Sequence, residues 1–149
     1  DTEESVRGTL IEIGPRVMID SFVKIKPAGG SGDVVIGPFS NDTSTTEIYT
    51  GNGVTIGQGV AIAANCTLAP TNHAISDRQR FIKDQGFQAS KGGIVIEDDC
   101  WLGSGVVVLD GAVIRRGAVI AAGAVVRGEV PAYAIFAGAP ARRIGERGG

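Results

Sequence analysis

The sequence predicts an all-β fold: a single-stranded parallel β-helix of about five coils, interrupted by one long excursion loop at residues 74–93. The main observation is a six-residue repeat that runs unbroken from Ile96 to Pro131. Every first position is aliphatic, and every fifth position is Cys, Val or Ala. A helix of about 3.6 residues per turn cannot keep that register. Three short strands joined by tight corners can, because the first residue fills the interior and the small fifth residue fits a crowded corner.

The composition favours the same fold. The chain has 23 glycines in 149 residues, and 43% of its residues are hydrophobic. A solenoid with many corners needs glycine at its turns, whereas a disordered chain would be poorer in hydrophobic residues. Both observations therefore point to one folded domain rather than to a flexible segment.

The repeat extends upstream with interruptions, and it sets the expected coil boundaries. Earlier hexads accommodate a short insertion near residues 51–53, and residues 28–32 are expected to loop out of the first coil. The spacing alone does not give the handedness of the winding, although ordinary parallel crossovers are right-handed. The coils are expected to start near Ile13, Ile36, Ile56, Ile96 and Ile114.

Three segments follow from this pattern. They are a lead-in over residues 1–12, the β-helix with its loop over 13–131, and a C-terminal cap with a basic tail over 132–149. Solenoids need a cap at an open end. The residues expected to supply it are Tyr133, Ile135, Phe136 and Ile144.

The excursion loop breaks the repeat and combines charged with aromatic residues. A loop of this length in a compact domain is typically functional or disordered. Phe81, Ile82 and Phe87 argue against disorder, because apolar side chains need something to pack on. The loop is therefore interpreted as a functional element.

Charge and cysteine usage exclude several function classes. The net charge of −2 gives no reason to expect nucleic acid as a partner. Membrane insertion is not expected, since no apolar run approaches ~20 residues, and without a signal peptide a cytoplasmic location is expected. Cys66 and Cys100 both occupy the small fifth position, so they are interpreted as corner-filling residues. With one histidine and no Cys-x-x-Cys, the chain lacks a zinc ligand set, and no metal is expected.

The outer faces of the predicted coils predict an oligomer. Side chains alternate along a strand, so the residue before each first position should point outward. Trp101 is expected to stack under Val119, and Val107 under Val125, with Val113 on the remaining wall. Apolar ladders on more than one face favour a protein neighbour over water. A closed ring with heterologous contacts would cover two different faces at once.

The only histidine of the chain, His73, is the leading candidate for chemistry. It ends a coil at the point where the chain departs into the excursion loop. An interior position has no need of an imidazole, and the loop could cover the residue. Histidine is also the side chain best suited to general-base catalysis near neutral pH. His73 is therefore the predicted catalytic residue.

Three stretches of the sequence resemble the hexapeptide-repeat acyltransferases. They are residues 94–105, 117–126 and 130–145, and the similarity as a whole covers residues 36–145. The closest resemblance is to the sugar O-acetyltransferases of the maltose, galactoside, lipopolysaccharide and capsule types. The ending Gly138-Ala-Pro-Ala-Arg142, after a Val-Pro corner, is specific for the coenzyme A-dependent branch.

The resemblance implies a left-handed parallel β-helix assembled as a homotrimer, with acetyl-CoA in the cleft between two subunits. His73 matches the catalytic base of the family, which takes the proton of the acceptor hydroxyl as that oxygen attacks the thioester. Transfer would be direct, without an acyl-enzyme.

Other site residues are carried over from the resemblance position by position. Ser104 and Ala122 match positions that contact the pantetheine arm. Arg142 matches a basic residue near the nucleotide phosphates, and Arg143 is its neighbour of the same charge. Trp101 is either a second ligand contact or an anchor of the trimer interface.

Two further groups complete the implied site. The family usually has a Lys where this chain has Gly128, so Arg127 is the charge available there for a phosphate. The polar stretch 40–46 is expected one coil below His73, with Asn41 or Thr43 as the acceptor-binding residue. Asn72, adjacent to His73 in sequence, is the third acceptor candidate.

The leading interpretation is an acetyl-CoA-dependent acetyltransferase acting on a sugar hydroxyl. One alternative is a nucleotide-sugar N-acetyltransferase on the same scaffold, and another is a non-catalytic β-helix that serves as an assembly subunit. A γ-class carbonic anhydrase shares the architecture, but it needs three histidines around zinc. The single histidine of this chain argues against it.

Overall fold

The computed structural model describes residues 8–148 as a left-handed parallel β-helix of about six turns. Three sheets form its walls, parallel except for β18, and the strands are numbered in chain order. Sheet 1 contains β1 (Ile11–Ile13), β4 (Val34–Ile36), β7 (Val54–Ile56), β10 (Ile94–Ile96), β13 (Val113–Ile114) and β16 (Glu129–Val130). Sheet 2 contains β2 (Met18–Ile19), β5 (Asn41–Asp42), β8 (Ala61–Ile62), β11 (Trp101–Leu102), β14 (Val119–Ile120), β17 (Ala134–Ala137) and β18 (Arg142–Glu146). Sheet 3 contains β3 (Lys24–Ser31), β6 (Glu47–Gly51), β9 (Thr67–Ala69), β12 (Val107–Leu109) and β15 (Val125–Val126).

The predicted coil starts are confirmed by the strand register. Each one pairs with the next along sheet 1, in the order Ile13, Ile36, Ile56, Ile96 and Ile114. From the second coil onward these side chains are fully buried, and a buried aliphatic side chain contributes ~1.5–3 kcal/mol. A sixth, incomplete turn follows: Val130 pairs with Ile114, and β17 pairs with β14.

The corners explain the glycines of the repeat. The fourth residue of a hexad adopts a left-handed backbone conformation, as at Gly105 (φ 71°) and Gly117 (φ 70°). Glycine takes up this conformation without strain. At Gly117 a side chain would also collide with Tyr133, because a Cβ there would lie 2.5 Å from the tyrosine ring. Local conformation and close packing therefore both select glycine.

The two cysteines fill corners, as predicted. Cys66 and Cys100 are buried free thiols. Burial raises the pKa of the Cys66 thiol and raises that of Cys100 to about 11. Both thiols are therefore protonated and unreactive at neutral pH.

One first-position residue breaks the aliphatic pattern of the interior. Asp42 occupies this place on sheet 2, paired in register with Ile19 and Ile62. It is only 3% exposed, and neither carboxylate oxygen has a hydrogen-bond partner among the described residues. Burial raises the pKa of Asp42 to about 6. The nearby hydroxyl of Thr46 would lower it, but that group is placed to donate its one hydrogen to the carbonyl of Thr43 at 3.0 Å.

The two ends of the β-helix differ. At the C-terminal end, β17 and β18 form an antiparallel hairpin that packs Phe136 against the core. Ile144 was expected to help close this end, but it is 66% exposed because it lies on β18, beyond the last interior layer. At the other end, Ile13 and Ile19 are exposed. The predicted lead-in over residues 1–12 lies partly outside the described residues.

The two excursions are more regular than the sequence suggested. Residues 28–32 were expected to loop out of the first coil, but β3 continues to Ser31 with a register shift after Lys26. The excursion loop contains a short 3-10 helix, Ile82–Asp84. Among residues 8–148, no helix is long and apolar enough to cross a membrane.

Candidate active site

His73 lies just after β9, at the corner where the chain leaves sheet 3. It borders a groove of about 380 Å³. The coils contribute Asn72, His73, Leu109, Asp110 and Arg127 to this groove, and the excursion loop contributes Ile75, Gln88 and Lys91. The groove therefore combines the predicted catalytic residue with one predicted acceptor residue and one predicted cofactor residue.

The excursion loop returns to pack on the histidine. Phe87 forms an antiparallel bridge with His73, and the two ring centroids lie 4.8 Å apart. The expectation that Phe87 packs on something is thus confirmed. Phe81 and Ile82, nearer the tip, remain exposed.

Asp110 fixes the end of this loop and was not singled out from the sequence. Its carboxylate is buried, and it accepts hydrogen bonds from the backbone N–H groups of Lys91 and Gly93, both at 2.9 Å. A third donor is the side-chain amide of Asn52 at 3.2 Å. Asp98 occupies the same third place in its own hexad, so the repeat gave no signal that would have distinguished Asp110.

The charges of the groove favour an anionic or strongly polar ligand. Lys91 and Arg127 line it, and within residues 8–148 neither forms an ion pair. The carboxylate of Asp110 also lines the groove, but it accepts from three neutral N–H groups and from neither cation. Two cations are therefore available beside His73.

The remaining predicted cofactor residues lie on other parts of the protomer. Trp101 is on β11, is 54% exposed and pairs in register with Val119, as predicted. Ser104 and Ala122 are exposed at the corners that follow sheet 2, in adjacent coils. Arg142 and Arg143 are exposed on β18. One chain alone does not bring these residues into the groove of His73.

The predicted acceptor residues are also divided. Asn72 lines the groove, and its carbonyl accepts a hydrogen bond from the Gln88 N–H at 2.8 Å. Asn41 lies on β5, in the same outward column of sheet 2 as Trp101. The Thr43 hydroxyl donates to the Ile62 carbonyl at 3.0 Å. The polar stretch 40–46 thus lies on a different wall from His73 rather than directly below it, because it runs from sheet 2 into the following corner.

Among the residues that the structure describes, no group of three or more His, Cys, Asp or Glu side chains is arranged to bind a metal ion. The groove itself contains one imidazole, two cations, the carboxylate of Asp110 and the side-chain amides of Asn72 and Gln88.

Comparison with known proteins identifies the repeat. Residues 93–128 match a family model described as bacterial transferase hexapeptide, six repeats. These residues therefore carry the hexapeptide repeat of bacterial transferases, which is consistent with the hexapeptide-repeat acyltransferase family. The probable acetyltransferase Rv3034c of Mycobacterium tuberculosis is 37% identical over 140 residues, which cover 92% of this chain and 44% of that protein. The chain therefore spans less than half the length of this relative.

Solved structures of two acetyltransferases share the fold. The acetyltransferase VCA0836 from Vibrio cholerae superposes with a TM-score of 0.77 and 26% identity, over 91% of this chain and 73% of that one. Another structure of VCA0836 is a complex with acetyl coenzyme A. The maltose O-acetyltransferase from Clostridium difficile gives a TM-score of 0.77 at 22% identity, over 93% of this chain and 71% of that one.

Proposed function

We propose that this chain is an acetyl-CoA-dependent acetyltransferase that transfers an acetyl group to a sugar hydroxyl, with His73 as general base. The observation that carries the proposal is the position of the only histidine, in a groove that also contains Arg127. The acetyl-CoA complex of VCA0836 supports the donor, and the name of the maltose O-acetyltransferase supports a sugar acceptor.

The reaction needs only groups that this chain contains. The imidazole of His73 takes the proton of the acceptor hydroxyl while that oxygen attacks the thioester carbonyl. The tetrahedral intermediate then expels the coenzyme A thiolate, which receives the proton from the imidazolium. General-base catalysis of this kind is typically worth ~10²–10⁴-fold in rate. Backbone N–H groups or small polar side chains would donate hydrogen bonds to the oxyanion.

The complete cofactor site requires a second chain, so a homotrimer is part of the proposal. Ser104 and Ala122 would contact the pantetheine arm from a neighbouring subunit, and Arg142 and Arg143 would face the nucleotide phosphates. Arg127 supplies a further positive charge from the groove. The exposed Trp101 serves either the ligand or the interface.

The acceptor site takes Asn72 from the same protomer as His73. Asn41 and Thr43, on another wall of the β-helix, could reach the acceptor only across a subunit boundary.

A thiol-release assay tests the proposal. Acetyl-CoA is supplied with a panel of sugars and nucleotide-linked amino sugars, and wild type is compared with His73→Ala. We expect wild type to release the coenzyme A thiol when the acceptor is a sugar with a free hydroxyl group. We expect His73→Ala to release none. Release only with amino sugars would replace the O-acetyl assignment by N-acetylation.

Coenzyme A binding provides the control. Any ligand held by the folded state raises the melting temperature. We expect His73→Ala to keep the coenzyme A-dependent rise that wild type shows. Absence of any rise in wild type would instead favour a non-catalytic assembly subunit.

A further inference from the structure

The backbone around His73 forms a short antiparallel pairing with the returning arm of the excursion loop. The Asn72 carbonyl accepts from the Gln88 N–H at 2.8 Å, and the Ala74 N–H donates to the Gly86 carbonyl at 3.0 Å. These two bonds flank His73 and Phe87, which therefore form a non-hydrogen-bonded pair. Side chains of such a pair approach more closely than those of a hydrogen-bonded pair.

The side chains of His73 and Phe87 stack on each other. The imidazole and the phenyl ring have an interplanar angle of 29° with their centroids 4.8 Å apart, which is a stacked arrangement. His73 also borders the groove, so the phenyl ring supports the imidazole at the groove wall. Phe87 is itself 47% exposed, so core packing does not explain an aromatic residue at this position.

The loop that carries Phe87 is anchored on both sides of it. On the N-terminal side, the amide of Gln85 donates to the Asp77 carbonyl at 2.8 Å and accepts from the Asp77 N–H at 3.0 Å. On the C-terminal side, Asp110 holds Lys91 and Gly93. The phenyl ring is therefore presented by a segment that is fixed at its tip and at its end.

We propose that Phe87 is a positioning residue for His73: it holds the imidazole in the orientation in which its free nitrogen faces the acceptor hydroxyl. The proposal rests on the acetyltransferase function proposed above. Without the phenyl ring, the exposed histidine samples other rotamers, and only a fraction of molecules carries a correctly oriented base.

A pair of matched substitutions isolates the role of the stack. Phe87→Leu keeps an apolar side chain but removes the flat ring, and Phe87→Tyr restores a ring. Phe81→Leu is the control, because Phe81 belongs to the same loop but is 76% exposed and does not contact His73 in a ring stack.

The first measurement does not depend on activity. The chain has one histidine, so its imidazole C–H protons give a single pair of NMR signals. We expect Phe87→Leu to shift both signals through loss of the ring current, and Phe87→Tyr and Phe81→Leu to leave them near the wild-type positions. Unchanged signals in Phe87→Leu would show that the stack does not hold the imidazole and would overturn the proposal.

The second measurement is steady-state kinetics. We expect Phe87→Leu to lower kcat by about 3- to 10-fold, the factor that corresponds to the loss of one aromatic pair. KM for acetyl-CoA should not change, Phe87→Tyr should restore kcat, and Phe81→Leu should match wild type. An unchanged kcat, or a raised KM with unchanged kcat, contradicts a positioning role. An inactive wild type contradicts the proposed function instead, and the NMR comparison then still decides whether Phe87 orients His73.

Discussion

The carboxylate of Asp110 accepts a hydrogen bond of 2.9 Å from the backbone N–H of Gly93, and this bond joins the end of the excursion loop to the following coil. The same carboxylate also accepts from Lys91 and Asn52. One buried side chain therefore determines where the loop returns, and with it one wall of the groove.

Replacing this anchor should loosen the loop. In Asp110→Asn, an amide meets three donors with one acceptor oxygen, so at least one buried N–H is left without a partner. Such a loss costs ~1–3 kcal/mol. We expect a lower melting temperature and faster amide hydrogen exchange at residues 86–93. Asp98→Asn, at an exposed corner where only one side-chain oxygen accepts a backbone bond, is the control. Equal exchange rates in the two variants would contradict the anchoring role.

The buried carboxyl of Asp42 should make stability depend on pH. Its pKa is about 6 in the folded chain against an ordinary value of 3.8, so folding opposes ionisation. Below pH 3.8, Asp42 does not lower the free energy of unfolding. The free energy of unfolding falls as the pH rises through 6, and above that pH it is lower by ~3 kcal/mol. We expect Asp42→Asn to raise the melting temperature at pH 8, with a smaller gain at pH 4.5.

One result of the pH series would contradict this prediction. A gain of the same size at both pH values would mean that ionisation of Asp42 contributes nothing. Cys66, whose thiol pKa is raised in part by the charge of Asp42, stays protonated throughout this range and does not confuse the result.

Arg127 should contribute to donor binding through its charge. It lines the groove and has no ion-pair partner among residues 8–148, so Arg127→Gln removes a free cation. We expect weaker coenzyme A binding by about 2- to 5-fold, with the difference shrinking at high salt as charges are screened. Calorimetric titration measures this, and Arg116→Gln, an exposed arginine on another corner, should bind as wild type does. Equal affinities for the two variants would remove Arg127 from the cofactor site.

The outward column of sheet 2 should govern assembly. Val119 pairs with Trp101 there, and a charge in such a ladder would be buried without a partner in a trimer. We expect Val119→Glu to sediment as a monomer, whereas Arg116→Glu retains the wild-type mass. Trp101 is the only tryptophan, so its emission should also shift to the red as the assembly dissociates. A trimer that survives Val119→Glu would place the interface elsewhere.

The periodic part of the fold could be predicted because each hexad has the same pattern of buried and corner residues. An aliphatic residue at the first position and glycine at the fourth fix the interior and the corner, so Ile56, Ile96 and Ile114 align without knowledge of the rest. The sixth turn was missed because its second strand, Ala134–Ala137, does not follow the six-residue spacing.

The site was predictable only where it coincides with the repeat. His73 stands out as the one imidazole at a departure point, but its contact with Phe87 depends on pairing between two arms of a loop that has no repeat. Asp42 and Asp110 are both buried, yet one is unpartnered and the other has three donors. That difference arises from residues far away in the chain. Asn41 lies in the coil below that of His73, as expected, but the spacing was not followed far enough to give its wall.

The strands before and after the excursion loop pair in regular register in sheet 1: Ile94 pairs with Val54, and Ile96 with Ile56. Each coil of a solenoid interacts mainly with its immediate neighbours. The stability of the β-helix therefore depends little on the length and composition of a loop inserted between two coils. Substrate preference can therefore diverge by exchange of this one hairpin while the architecture beneath it stays the same. Replacing the excursion loop by that of a relative with another acceptor is therefore a direct way to change the acceptor preference.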